Sequence, residues 1–197
     1  SSAASDVYKR QELMNYTLTR NVKKLSVGQI VYSAMCYENG TMFDDGTLLK
    51  LSDHGFRWVC GDEYGGEWLK EQAKKKNYKV HIKNSTDQIN NLSLQGPKSR
   101  KILEKIIFTP PTQPSISELE WFRFSICRLE ELNGIPLIVS RTGYTGELGF
   151  EIWCHPSDAP TVWDKVMEAG KDEGLIPAGF AALDLSLIHI SEPTRPR

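Results

Sequence analysis

Short alternating apolar stretches, bounded by turn residues, predict a series of antiparallel strand pairs. Residues 28–43 place Val, Ile and Tyr on both sides of Asn39 and Gly40, a dipeptide that favours a tight hairpin turn. A second pair of strands is predicted at residues 47–51 and 56–60, because the polar sequence SDHG separates the two stretches. The first third of the chain is therefore predicted to form consecutive hairpins.

Helical periodicity follows the groups of strands. It occurs in three places, at residues 67–76, 98–107 and 158–169. The other alternating stretches predict four further strands, at residues 78–82, 92–95, 121–129 and 135–140. Short strands with a helix after each group indicate an α+β fold, built from two similar small units of antiparallel strands with packed helices.

The two ends of the chain do not continue this pattern. Residues 1–11 and 185–197 resemble translated sequencing adapters, so we expect both adapter-like ends to be non-native and to make few side-chain contacts. Between them, the pattern of strands and helices occurs twice, in residues 12–108 and 109–184. We therefore expect residues 12–184 to be an internal piece of a longer protein.

Composition and charge narrow the class of protein. The chain has 24 basic and 25 acidic residues, a formal net charge of −1, which creates no global field for nucleic acid or anionic lipid. Its four cysteines show no CxxC spacing, and no apolar run approaches the roughly 20 residues that cross a bilayer. No histidine has a second ligand at metal-binding spacing. These patterns predict a soluble cytoplasmic protein with reduced thiols, no metal, and neither nucleic acid nor a membrane as partner.

Two adjacent carboxylates, Asp44 and Asp45, follow a predicted strand and precede Gly46. Adjacent residues on a strand face opposite sides, so at most one of the two can enter a given pocket. A structural turn and a catalytic carboxylate both remain open at this point.

A glycine-rich segment, RTGYTGELGFE at residues 141–151, is the second candidate for chemistry. Backbone without Cβ atoms allows a flat ligand to approach closely, and Tyr144 offers a stacking face and a hydroxyl group. The alternative is a tight loop with an exposed tyrosine. The segment lacks the glycine spacing of a nucleotide-binding loop.

Seven short blocks occur in order along the chain: NVxKLxVGQ at residues 21–29, YSAM at 32–35, ENGTMFDD at 38–45, LQGP at 94–97, FRF at 122–124, SRTGYTGExGFE at 140–151 and GLxPAG at 174–179. Together they resemble the folate-dependent aminomethyltransferase family, which includes the T-protein of the glycine cleavage system, dimethylglycine and sarcosine enzymes, and several demethylases. The resemblance implies a three-domain, clover-like, folate-binding enzyme. Residues 12–108 would then be part of its first folate-binding domain and residues 109–184 a second unit of that domain.

The resemblance also implies roles for four residues. Asp44 matches the family aspartate beside the reactive nitrogens of tetrahydrofolate, which makes it the candidate catalytic residue. Tyr32 and Tyr144 match tyrosines that line the folate cavity, and Glu151 matches the glutamate that accepts hydrogen bonds from the guanidine-like edge of the pterin.

The implied activity is transfer of an aminomethyl or methyl group to tetrahydrofolate from a small-molecule or lipoyl-protein-carried donor, with a lipoyl carrier protein as partner. Leu183 stands before Asp184 where T-proteins usually have Arg, and Asp45 precedes Gly46 where they continue with an apolar residue. The donor therefore stays open. A demethylase acting on another methyl donor, a non-catalytic folate-binding regulatory relative, and an inactive fragment of the enzyme are the alternatives.

Overall fold

The structure is a computed structural model that describes residues 2–179, 181 and 182, with side chains from residue 8 onward. Three antiparallel strands form the first sheet in the order β1 (Ile30–Cys36), β2 (Met42–Lys50) and β3 (Phe56–Cys60). Gly40 takes a positive φ of 83° in the turn between β1 and β2. The two hairpins predicted in this part of the chain are therefore confirmed.

Two helices cover one face of the first sheet, α1 (Ser2–Thr17) and α2 (Gly65–Lys75). Trp68 and Leu69 lie on the buried side of α2 and pack with Leu13 of α1 and with Met35 and Leu48 of the sheet. This apolar contact gives α2 its tertiary stability, because a helix of 11 residues is marginal on its own.

The second sheet has five antiparallel strands in the order β4, β8, β7, β6, β5. Their bounds are β4 (Asn90–Gln95), β5 (Ile107–Phe108), β6 (Phe124–Leu129), β7 (Pro136–Ser140) and β8 (Gly149–Cys154). Two helices pack against it, α3 (Ser99–Glu104) and α4 (Ala159–Gly170). Leu103 of α3, Val162 of α4 and Phe150 of β8 are completely buried in the shared core. The chain thus has the α+β architecture that the pattern predicted.

The two sheets are joined directly. Ile30 N donates to Phe122 O at 2.8 Å, and Phe124 N donates to Gly28 O at 3.0 Å. Ile30, Leu49 and Phe124 form a small buried cluster at the same place. Backbone and apolar contacts therefore fix the first sheet to the second.

Local differences from the sequence prediction have simple causes. Residues 78–82 form no strand, and their alternating apolar side chains pack against the core of the first sheet instead. The helix predicted at residues 98–107 ends at Glu104, because the chain then pairs with β6 as β5. Since β4 and β5 belong to the second sheet, the division between the two sheets precedes Asn90. The assignment of residues 12–108 and 109–184 to two units of a folate-binding domain stays a prediction.

The first adapter-like end is part of α1, which runs without a break from Ser2 to Thr17. Arg10 Nη1 donates to His54 O at 2.9 Å, and Gln11 Nε2 donates to Val22 O at 3.4 Å. The adapter origin of residues 1–11 stays a prediction. The second adapter-like end, Leu183 and Asp184 lie outside the described residues. Among the described helices, none combines the length and apolar character needed to cross a membrane.

Candidate functional site

Tyr32 and Asp45 meet on the face of the first sheet opposite α1 and α2. Tyr32 pairs with Thr47 across the β1–β2 ladder, and Asp45 is two residues from Thr47, so the two side chains point the same way. The Tyr32 hydroxyl donates to Oδ2 of Asp45. This hydrogen bond is the main reason why the pKa of Tyr32 is raised, and the ring remains 51% exposed.

Asp44 leaves β2 on the other side. Its cross-strand partner is Met35, which is buried against the two helices. Asp44 Oδ1 accepts from Asp45 N at 2.8 Å, and Oδ2 accepts from Asp62 N at 3.1 Å, just beyond the end of β3. Two backbone donors therefore fix this carboxylate at the end of the sheet.

The Cys60 thiol lies beside this carboxylate. Burial raises the pKa of Cys60 to about 11, and a hydrogen bond with Asp44 adds to the effect. The thiol is therefore neutral at physiological pH, which leaves Asp44 as the negatively charged group of this pair.

The Asp-Asp-Gly sequence is not a turn, which corrects one of the two sequence interpretations. All three residues lie inside β2, which is a single strand of nine residues. A Cβ on Gly46 would lie 2.1 Å from Val59 O, so glycine is required by the close approach of β3. The strand continues through Gly46 because pairing on both sides holds its backbone extended.

Tyr144 lies in the loop between β7 and β8 and is 71% exposed. After the hydrogen bond with Asp45 and burial, the electrostatic influence of Asp45, Tyr144 and Asp44 raises the pKa of Tyr32 further. The loop of the second sheet therefore comes close to the open face of the first.

Glu151, on β8, is held from two sides. Its Oε1 accepts from Asn91 Nδ2 at 2.8 Å, and its Oε2 accepts from the Thr142 hydroxyl. Thr142 Oγ1 also lies 2.8 Å from Ser140 Oγ in the same strand region. A carboxylate has about four lone-pair sites, so Glu151 can accept further hydrogen bonds from a ligand.

Tyr144 and Asp44 make only the smallest electrostatic contributions to the pKa of Tyr32, and Asp44 lies on the other face of the sheet. Glu151 joins the loop of Tyr144 through Thr142. The sequence analysis missed the part played by Asp45, although strand alternation from Tyr32 and Thr47 would have identified it once the register was known.

A cavity of about 810 Å³ lies apart from the two tyrosines. It is bordered by Cys60 and Asp62, which flank the Asp44 carboxylate, and by Arg57, whose pKa is lowered by burial. Tyr32, Tyr144 and Glu151 are not among its lining residues. Asp44 is not among them either, so the cavity is separate from all four predicted site residues and reaches only the neighbours of the Asp44 carboxylate.

Comparison with known proteins identifies relatives of this chain. The family model described as the GCVT N-terminal domain matches residues 9–188. A trimethylamine-oxide aldolase of Ruegeria pomeroyi is 51% identical over 179 residues, which are 91% of this chain and 23% of that protein. An aminomethyltransferase of Alkaliphilus metalliredigens is 38% identical over 174 residues, which are 87% of this chain and 45% of that protein. The chain thus spans about a quarter to a half of these curated relatives.

The fold has a solved counterpart. The crystal structure of glycine cleavage system aminomethyltransferase T from Bartonella henselae matches with a TM-score of 0.61 at 24% sequence identity. The match covers 80% of this chain and 40% of that one. This likeness shows a shared fold.

Proposed function

Because the chain belongs to the family of the GCVT N-terminal domain, we propose that it is the folate-binding part of a tetrahydrofolate-dependent one-carbon transferase. The enzyme moves an aminomethyl or methyl group from a nitrogen- or lipoyl-carried donor to tetrahydrofolate. The predicted cytoplasmic location belongs to this proposal as well.

The hydrogen bond from the exposed Tyr32 to Asp45, with the fixed carboxylate of Asp44 at the neighbouring position of β2, is the observation that carries the proposal. Tyr32 and Tyr144 are both exposed, and Asp45 lies on the same face of the first sheet as Tyr32, while Asp44 leaves the same strand on the opposite face. Tyrosine rings can pack against a flat ring system, and carboxylates favour a ligand that carries positive charge where it reacts.

The residues present fit tetrahydrofolate. The pterin is flat and has a guanidine-like edge that is rich in hydrogen-bond donors. A carboxylate with free lone pairs, such as Glu151, can accept hydrogen bonds from this edge. Tyr32 and Tyr144 provide ring faces for packing. When bound, tetrahydrofolate supplies the nucleophilic nitrogens that take up the one-carbon group.

Asp44 is the proposed catalytic residue. Its carboxylate is already fixed by the backbone N–H groups of Asp45 and Asp62. A fixed negative charge stabilises positive charge on the transferred carbon without reorganising during the reaction. The second carboxylate, Asp45, holds the Tyr32 hydroxyl, so the phenol keeps its proton and its orientation.

Two donors are candidates, each supported by a different relative. The similarity to aminomethyltransferases favours an aminomethyl group delivered by a lipoyl carrier protein, which would be a partner of this protein. The higher identity to a trimethylamine-oxide aldolase favours a methylated amine or its oxide as the source of the one-carbon group. A purely regulatory relative is the weaker alternative, because this chain keeps the carboxylate of Asp44.

Titration of tetrahydrofolate into the full-length protein and its Glu151→Ala variant tests the proposal. Loss of the carboxylate leaves the pterin donors unpaired, so we expect affinity to fall by about 1–3 kcal/mol. Glu131→Ala is the matched control, because Glu131 is exposed in the turn between β6 and β7. Equal affinities of wild type and Glu151→Ala would contradict the proposed site.

A further inference from the structure

The side-chain amide of Gln95 fills the space beside two glycines that flank the Tyr144 loop. A Cβ on Gly143 would lie 2.1 Å from Gln95 Oε1, and a Cβ on Gly149 would lie 1.7 Å from the same atom. Neither glycine has a positive φ. A larger residue at either position would therefore displace the Gln95 amide from where it lies.

The same amide makes hydrogen bonds on both sides of Tyr144. Gln95 Nε2 lies 3.4 Å from Thr142 O and 3.3 Å from Phe150 O, and Gln95 Oε1 accepts from Thr145 Oγ1 at 3.1 Å. Gln95 itself is fixed at the end of β4, where its backbone pairs with Gly149 of β8. One side chain thus ties the start and the end of residues 142–145 to the rigid sheet.

Two glycines of this segment thus have a structural reason in addition to the one that the sequence suggested. Gly143 and Gly149 make room for a side chain of the protein. The exposed Tyr144 ring projects from the held segment, and Thr142 within it binds Glu151. The conformation of residues 142–145 therefore affects both groups that are proposed to contact the pterin.

We propose that Gln95 is a positioning residue that locks residues 142–145 in the conformation that presents Tyr144 and orients Glu151 towards tetrahydrofolate. This inference rests on the proposed function for its ligand, but not for its geometry. A loop that is ordered before binding loses less conformational entropy when the ligand arrives. Gln95 thus contributes to affinity without touching the ligand.

Three variants of the full-length protein test the lock. Gln95→Ala removes the amide, and Gln95→Met keeps the length of the side chain without its hydrogen bonds. Both are expected to weaken tetrahydrofolate binding about tenfold, because the loop must then be ordered during binding. Gln113→Ala is the control, since Gln113 also binds backbone through its amide but contacts Ile126 N. Wild-type affinity in both Gln95 variants would overturn the proposal.

A double variant with Tyr144→Ala distinguishes a positioning role of Gln95 from a general loss of stability. In a Tyr144→Ala background only Glu151 is left for Gln95 to orient, so adding Gln95→Met is expected to weaken binding by clearly less than tenfold. Fully additive losses in the double variant would refute the assignment of Gln95 to this loop.

Backbone order parameters, measured by NMR relaxation without ligand, test the lock independently of the proposed function. Gln95→Met is expected to lower the order parameters of residues 142–146 while those of α4 stay unchanged. Unchanged order parameters in the loop, or lower values throughout the second sheet, would refute a specific lock. If the wild type fails to bind tetrahydrofolate, the proposed function is wrong, and the order parameters still decide on Gln95.

Discussion

Replacement of Asp44 by asparagine separates the structural from the chemical contribution of this carboxylate. Both of its oxygens accept backbone hydrogen bonds, from Asp45 N at 2.8 Å and from Asp62 N at 3.1 Å. An asparagine has only one acceptor oxygen, so its NH₂ group must face one of these two N–H donors. The substitution therefore disturbs the end of β2 even though it preserves shape.

The expected loss of stability follows from these two hydrogen bonds. Loss of one hydrogen bond to a charged acceptor is expected to lower the free energy of unfolding by about 1.5–3 kcal/mol. If Asp44 has the proposed catalytic role, removal of its fixed charge is expected to reduce kcat by about 10²–10³-fold, with a smaller effect on folate affinity. The two effects are measured separately, by urea midpoint and by turnover.

Asp45→Asn is the matched variant. Its amide oxygen can still accept from the Tyr32 hydroxyl, so we expect a stability loss of less than about 1 kcal/mol and a modest change in turnover. Turnover is measured in the full-length protein with whichever donor the wild type accepts, a lipoyl-carried aminomethyl group or a methylated amine. Normal turnover in Asp44→Asn together with loss of turnover in Asp45→Asn would show that the assignment of the catalytic carboxylate is wrong.

Three further predictions concern the rest of the molecule. Leu103→Ala in the fully buried core should lower the free energy of unfolding by about 2–5 kcal/mol, whereas Leu132→Ala at an exposed site should change it by less than about 0.5 kcal/mol in urea titrations. Two lysine side chains hold the pKa of Glu173 down, at about 2 against an ordinary 4.5, so its stabilisation is complete above pH 4.5 and lost as pH falls towards 2. A Glu173→Gln variant should show a flatter pH dependence of the urea midpoint in that interval, and an unchanged slope would contradict the ion pairs. Burial raises the pKa of Cys127 to about 12, so iodoacetamide at pH 8 should label it only after unfolding, and rapid labelling of the native protein would refute its burial.

The parts of the fold that sequence could predict are those with local causes. The β1–β2 hairpin follows from a turn dipeptide between two apolar stretches, and α2 and α4 follow from their apolar faces. The pairing of β4 with β8 joins Asn90 to Cys154, and no local pattern specifies a partner so distant in the chain. For the same reason the local pattern does not show that β4 and β5 join the second sheet.

The candidate site shows the same limit at the level of side chains. Local sequence drew attention to the carboxylates of β2 and to the glycine-rich loop, and the family resemblance selected Asp44 as the catalytic candidate. Which of Asp44 and Asp45 faces Tyr32 depends on the register of β1 against β2, since a shift of one residue exchanges the two faces. The role of Gln95 depends on contacts with residues about fifty positions later in the chain, and its block in the sequence gives no sign of them. Residues that act directly on a ligand carry a chemical signature, whereas residues that position them are identified only by three-dimensional contacts.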